Sequence, residues 1–171
     1  MHFVFMGVSG SGKTSVAERV AEQLGLPFAE ADDFHPEANI TKMSSGVPLA
    51  DRDRWPWLRE LAGWIAGHEE RGEATAMACS ALKRTYRDVL RTGAPGVSFL
   101  HLHGPTEVIW ERIGAREDHF MPPALLRSQM EALQRLGPDE AGVELDVRGD
   151  LDSLVAQALE YVSGRLRAPQ V

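Results

Sequence analysis

The sequence predicts an α/β protein, one sheet with helices on both faces. Three observations carry that expectation. Short uncharged apolar runs alternate along the chain with longer segments whose apolar residues recur at helical spacing. The first of these runs, Phe3-Val4-Phe5, enters a glycine-rich turn that leads straight into a helical pattern. At 171 residues the chain is long enough for one substantial core and too short for a second.

Taken in order, the apolar positions Val16, Ala17, Val20, Ala21 and Leu24 mark a first helix, ended by Gly25, and a second strand is expected over Pro27 to Asp32. Phe34 to Arg54 is polar and holds glycine and proline, so it reads as loop with helical turns around Glu37 to Ser44. A helix is expected from about Trp55 to Arg71, with Trp57, Leu58, Leu61, Trp64 and Ile65 on one face. Ala74 to Cys79 is an uncharged strand suited to the sheet centre. Leu82 to Arg91 reads as helix and Val97 to Leu102 as strand. Pro105 opens a helix to about Ala115, with Thr106 and Glu107 in its first turn. Pro122 and Pro123 open another that ends near Gly137-Pro138. Val143 to Val147 is the last strand, and Asp150 caps a final amphipathic helix through Leu166. Five strands result, each followed by a helix, in a single domain over residues 1–171 with a lid expected at about 114–138.

Composition excludes several classes of partner. The formal net charge of −7, without a basic tail, argues against nucleic acid. No run approaches the length of a membrane span, and the N-terminus enters a strand rather than a signal sequence. Cys79 is the single cysteine, so there is no intrachain disulfide and little basis for a zinc cluster. The expectation is a soluble protein of a reducing cytoplasm.

The most specific segment is Gly7-Val8-Ser9-Gly10-Ser11-Gly12-Lys13-Thr14, which fits G-x-x-x-x-G-K-[ST] between a strand and a helix. Gly7, Gly10 and Gly12 let the backbone turn tightly and aim N–H groups at a phosphate on the positive end of the helix. Lys13 can reach terminal phosphates, the Thr14 hydroxyl can ligate Mg²⁺, and Ser15 follows in the first helical turn. A nucleoside triphosphate is implied, with Gly7 to Ser15 as its site.

The acceptor should lie at the end of the second strand, where the chain reads Glu30-Ala31-Asp32-Asp33-Phe34-His35. Strand alternation would put Glu30 and Asp32 on one side. Glu30 could then serve the Mg²⁺ shell through water while Asp32 takes a proton from an attacking hydroxyl; Asp33 reads as a solvated charge. His35, Asn39, Lys42, Arg52 and Arg54 gather donors in an acidic protein, which points to an anionic small molecule, although any one of them could be an ordinary solvated loop residue. Cys79, Ser80 and Ala81 are small enough for a ligand to approach closely, and Cys79 itself reads as a buried strand thiol. Lys83, Arg84, Arg87 and Arg91 form a basic stripe whose outer members read as a solvated face. Arg112 and Arg116 precede the polar break Glu117 to Met121; on a lid they could stabilise charge during transfer, and otherwise they suit a helix C-terminus.

Together the blocks GVSGSGKT, ADDFHPEANITKMSSGVPLADRDRWPWL, CSALKRTYRDVLR and RxDHFMPPALLRSQMEAL resemble the gluconokinase family, small phosphate-loop kinases similar to shikimate kinase. The resemblance runs from Phe3 to about Glu140. It implies transfer of the ATP γ-phosphate to the terminal hydroxyl of D-gluconate, giving 6-phospho-D-gluconate and ADP. It further implies a three-layer α/β/α core with parallel strands in the order 2-3-1-4-5, a mobile lid, and often a homodimer. Matched by position, Lys13 and Thr14 hold phosphates and Mg²⁺, Asp32 contacts the acceptor hydroxyl, and Arg116 is the lid arginine, with Arg112 on the nucleotide side. His35, Lys42, Arg54, Ser80, Lys83, Arg84 and Gln129 fall in blocks assigned to the substrate. Ala50, Asp118 and Gln134 depart from the family pattern. A related kinase for another sugar acid or a shikimate-like acceptor is the alternative. A nucleotide switch is disfavoured, because N-K-x-D is absent and Asp139 to Gly142 matches D-x-x-G in letters alone.

Overall fold

The structure, a computed structural model, describes residues 1–114 and 123–168. Five strands form one parallel sheet in the order β2-β3-β1-β4-β5, as expected. They are β1 His2–Met6, β2 Phe28–Glu30, β3 Thr75–Ala78, β4 Val97–His103 and β5 Gly142–Asp146. β1 takes the centre because all five of its residues are buried, with Val4 set between Met77 on β3 and Phe99 on β4. The helices are α1 Lys13–Leu24, α2 Glu37–Ser44, α3 Asp51–Glu70, α4 Arg84–Arg91, α5 Thr106–Gly114, α6 Pro123–Ala132 and α7 Leu151–Arg167. Right-handed crossovers between parallel strands set the layers. Thus α1, whose Val16, Ala17, Val20 and Ala21 are buried, packs on the sheet and beside α7, while α3 packs with α4. Among the described residues no helix is long and apolar enough to cross a membrane.

Three of the boundaries that differ from the sequence expectation bear on the site, each for a local reason. β2 stops at Glu30 because the chain turns into a 3-10 helix, Ala31–Phe34, whose Asp32 N–H donates to Glu30 Oε1 at 3.4 Å. Asp32 therefore belongs to a turn, and the strand alternation used to pair it with Glu30 does not apply. α3 starts at Asp51, four residues before the expected Trp55, because the Asp53 carboxylate accepts the Ala50 N–H at 2.9 Å and closes the first turn. α6 ends at Ala132 rather than near Gly137. The next backbone groups are engaged elsewhere: Gln134 N–H donates to Leu82 O at 2.8 Å, and the carbonyls of Gln134 and Arg135 accept from Arg87.

Candidate active site

The phosphate loop links the central strand to α1, and its geometry demands glycine at two positions. Gly10 has φ +79°, and a Cβ there would lie 2.3 Å from Ile113 Cγ1. Gly7 has φ +148°, and its Cβ would lie 2.6 Å from Leu102 O. Neither place admits a side chain. The loop is fastened from outside by Gly7 N–H donating to Ser80 O at 3.3 Å, at the end of β3. α1 begins with no side-chain cap and no acid in its first turn, so its leading amides are left to an external anion. Ser9, Gly10, Gly12, Lys13, Thr14, Ser15, Glu30 and Asp32 line one cavity of about 490 Å³.

Within that cavity the Thr14 hydroxyl donates to Glu30 Oε2 at 2.7 Å. Burial raises the Glu30 pKa and the Asp32 charge adds to the rise, while Thr14 and Lys13 act against it. A carboxylate made uncomfortable in this way, beside a hydroxyl, is a fitting pair of hard oxygen ligands for Mg²⁺. Among the described residues no group of three or more His, Cys, Asp or Glu side chains could hold a metal unaided. An ion here would complete its shell with phosphate oxygens and water, as Mg²⁺ commonly does.

On the β2 side Asp32 is largely exposed to the cavity, and its Oδ1 is 3.7 Å from His35 Nε2. His35 is buried, stacked on Trp57 with centroids 4.2 Å apart, so its ring is part of the wall rather than a free arm. The cations expected to await an anion are for the most part already paired. Lys42 meets Asp53 at 2.7 Å, Lys83 meets Asp51 at 2.8 Å, and Arg84 forks onto Asp139 at 2.7 and 2.6 Å. Arg54 has no such partner among the described residues; its guanidinium lies over the Tyr86 ring, 5.6 Å from the centroid, with Lys83 5.5 Å from the same centroid. Tyr86 donates to Asp51 at 2.5 Å. Sequence reasoning missed Asp51, Asp53 and Tyr86, although the alternation of acids and bases in Asp51-Arg52-Asp53-Arg54 was a signal that some charges would be neutralised in place.

The basic stripe needs correction too. Arg87 is not on a solvated face: it is fully buried, with Nε and Nη2 donating to Glu140 at 2.7 and 2.8 Å. Cys79 is buried as expected, and burial pushes its thiol up to about 12, well away from a nucleophile. On the nucleotide side Arg112 donates to the carbonyls of Val147 and, at 2.9 Å, Gly149. Its Nη1 would be 3.5 Å from a Cβ at Gly12, so it borders the phosphate loop. Gln129, matched to the substrate by resemblance, accepts the Ser9 N–H through Oε1 at 2.7 Å and so sits on the phosphate loop. Arg116 and Asp118 lie outside the described residues.

What the fold and the cavity define together is a class, the small phosphate-loop kinases, in which a triphosphate can rest on the α1 amides while an acceptor approaches from the β2 side. The AAA domain family model matches residues 3–136. The chain is 46% identical over 161 residues to the thermosensitive gluconokinase of Escherichia coli strain K12, covering 94% of this chain and 86% of that protein. It is 40% identical to the gluconokinase of Gluconobacter oxydans strain 621H, covering 92% and 89%. The chain belongs to the gluconokinase family. Among solved structures, a gluconokinase from Sinorhizobium meliloti 1021 superposes with a TM-score of 0.88 at 46% identity over 95% of this chain and 91% of that one. A sugar kinase from Janibacter sp. HTCC2649 gives 0.91 at 54% identity over 99% and 98%. Shikimate kinase from Aquifex aeolicus, at 14% identity and a TM-score of 0.58, shares the fold alone.

Proposed function

We propose that the chain moves the γ-phosphoryl of ATP directly onto the terminal hydroxyl of D-gluconate, giving 6-phospho-D-gluconate and ADP. Gluconokinase activity follows from near full-length similarity to several gluconokinases. The residue roles rest on one observation: Lys13, Thr14, Glu30 and Asp32 face a single cavity at the mouth of the phosphate loop. The bond from γ-phosphorus to the bridging oxygen breaks as the bond to the gluconate oxygen forms. Asp32 orients that hydroxyl and takes its proton, while Lys13 and the loop amides hold the migrating charge. Arg116 adds a further positive charge, and Arg112 borders the nucleotide. Thr14 and Glu30 would hold Mg²⁺, which when bound supplies charge neutralisation between the phosphates. Arg54 holds the gluconate carboxylate: like the exposed Arg52 it has no acidic partner among the described residues, but it is half-buried against Tyr86. Lys83, over the same Tyr86 ring, and Ser80, just past β3, complete the substrate side, whereas Lys42 and Arg84 serve through their pairs with Asp53 and Asp139. Cytoplasmic location and a homodimer complete the proposal, the latter open to light scattering.

A coupled ADP-release assay across gluconate, other sugar acids, shikimate and nucleoside monophosphates tests the acceptor, with the product identified. Turnover of shikimate or a nucleotide with gluconate inert would overturn it. For the base, Asp32→Ala should cut turnover far more than ATP affinity, and near-normal turnover removes Asp32 from the mechanism.

A further inference from the structure

We infer that His35 is a positioning residue for Asp32, held by Asn39 in the tautomer that carries its proton on Nε2. The inference rests on the reading of Asp32 as the proton acceptor and deepens it. Its first support is an elimination of hydrogen-bond roles. Asn39 is buried, and its Nδ2 lies 2.8 Å from the backbone carbonyl oxygen of Asp53. A carbonyl can only accept, so the NH₂ end of the amide must face it. The same Nδ2 lies 3.3 Å from His35 Nδ1. An amide nitrogen can only donate, so Nδ1 must be the lone-pair nitrogen of a neutral ring, and the proton sits on Nε2. Nε2 is the atom that faces Asp32 Oδ1, at 3.7 Å.

The second support is rigidity. The His35 ring is stacked on Trp57 at an interplanar angle of 17°, and Trp57 is itself fixed by donating from Nε1 to Ala31 O at 2.7 Å. His35 N–H donates to Asp32 O at 3.2 Å. Ring and carboxylate thus share one frame, made of the 3-10 turn and α3. With Nδ1 occupied, Nε2 aimed at Asp32 and one face covered, little of His35 remains to grip a substrate. The charged groups facing the ring are Asp32 from the 3-10 turn and Arg54 from α3. Burial is the largest influence and lowers the His35 pKa, Arg54 lowers it further, and Asp32 opposes both. A neutral N–H donor suits a positioning role, because it orients the carboxylate without a full positive charge that would make Asp32 a weaker proton acceptor. The gap of 3.7 Å is too long for a hydrogen bond. A shift of under about 1 Å, as substrate and acceptor seat, would make it one.

The direct test is ¹⁵N NMR of the ring in the full-length protein at neutral pH. His35 should show a protonated, pyrrole-type Nε2 and an unprotonated, pyridine-type Nδ1, and the reverse assignment overturns the inference. Kinetics give the second reading. His35→Leu should lower kcat about 10- to 100-fold, the range for losing a partner that orients a functional group, with both KM values little changed. His35→Gln, whose amide nitrogen can stand near the Nε2 position, should recover part of that loss, while Asn39→Asp, which demands a proton on Nδ1, should resemble His35→Leu. Added to Asp32→Ala, the His35→Leu change should have no further effect. If Asp32→Ala turns over normally, the base assignment itself fails. If Asp32→Ala is crippled while His35→Leu matches the unmodified enzyme, only the role of His35 fails. Should His35→Leu not fold, the NMR measurement on the unmodified protein decides alone.

Discussion

Replacing Glu140 by leucine probes the most deeply buried ion pair among the described residues. The side chains of Arg87 and Glu140 are both 0% exposed, and they form two hydrogen bonds of 2.7 and 2.8 Å. The guanidinium also donates to the carbonyls of Ala81 at 3.1 Å, Leu82 at 3.3 Å, Gln134 at 3.0 Å and Arg135 at 3.3 Å. Those carbonyls are dipoles and do not cancel a full charge. Glu140→Leu therefore leaves an uncompensated cation in the core, a change that costs about 3–5 kcal/mol. Glu140→Gln also removes the charge but keeps an oxygen that can accept from the guanidinium, so it should cost less than the leucine variant while remaining destabilising. For a chain of this size about 1 kcal/mol corresponds to a Tm change of roughly 2–4 °C, so the leucine variant should melt some 6–20 °C lower. Scanning calorimetry at pH 7 on the three proteins gives the ranking directly. A leucine variant within about 1 kcal/mol of the parent would mean that water reaches Arg87, and the reasoning from burial would be wrong.

Gly10→Ala should weaken ATP binding by calorimetric titration and lower stability, since φ alone costs about 1–2 kcal/mol and Ile113 blocks the new methyl; unchanged affinity would show that the loop relaxes freely. Arg116→Ala should lower kcat by ~10² to 10³ if its charge meets the transition state, and a fall of less than tenfold would deny it that role. Acid should destabilise the fold partly through His101, whose pKa is pushed down to about 4 by burial, against the pull of Glu144. Its stabilising contribution is complete above the ordinary value of 6.5. Below that pH the unfolded chain binds a proton that the folded ring refuses, and stability drops by up to about 1.4 kcal/mol per pH unit until about pH 4. Urea melts between pH 7 and 4.5 should show a shallower fall for His101→Phe, and identical slopes would contradict that sign.

The phosphate loop was legible because all its constraints are local: a buried strand, glycines at fixed offsets, and Lys13 and Thr14 at the helix start. The strand order was legible through family resemblance rather than periodicity. What lay hidden were pairings between distant segments. Arg87 and Glu140 are 53 positions apart, and nothing near either one announces the other. One cue did exist, since Arg87 precedes Leu90 by three residues and so shares its buried side of α4. The paired state of Lys42, Lys83 and Arg84 was equally non-local, as was the hydrogen bond from Ser9 to Gln129. Asp32 was picked out for its chemistry while its local geometry was misjudged, because a glutamate capping a 3-10 turn leaves no distinctive spacing.

The anchoring of α6 sets where the enzyme can be cut and rejoined. Gln129 ties it to Ser9, and just past its end Gln134 accepts the Arg84 N–H at 2.8 Å and donates its own to Leu82. From Gln129 onward this stretch belongs to the chassis, whatever precedes Pro123. A chimera importing residues 114–122 from a relative leaves these joints intact. One extending through Glu140 would have to bring the donor's α4 with it, or arrive with Arg84 and Arg87 facing strangers.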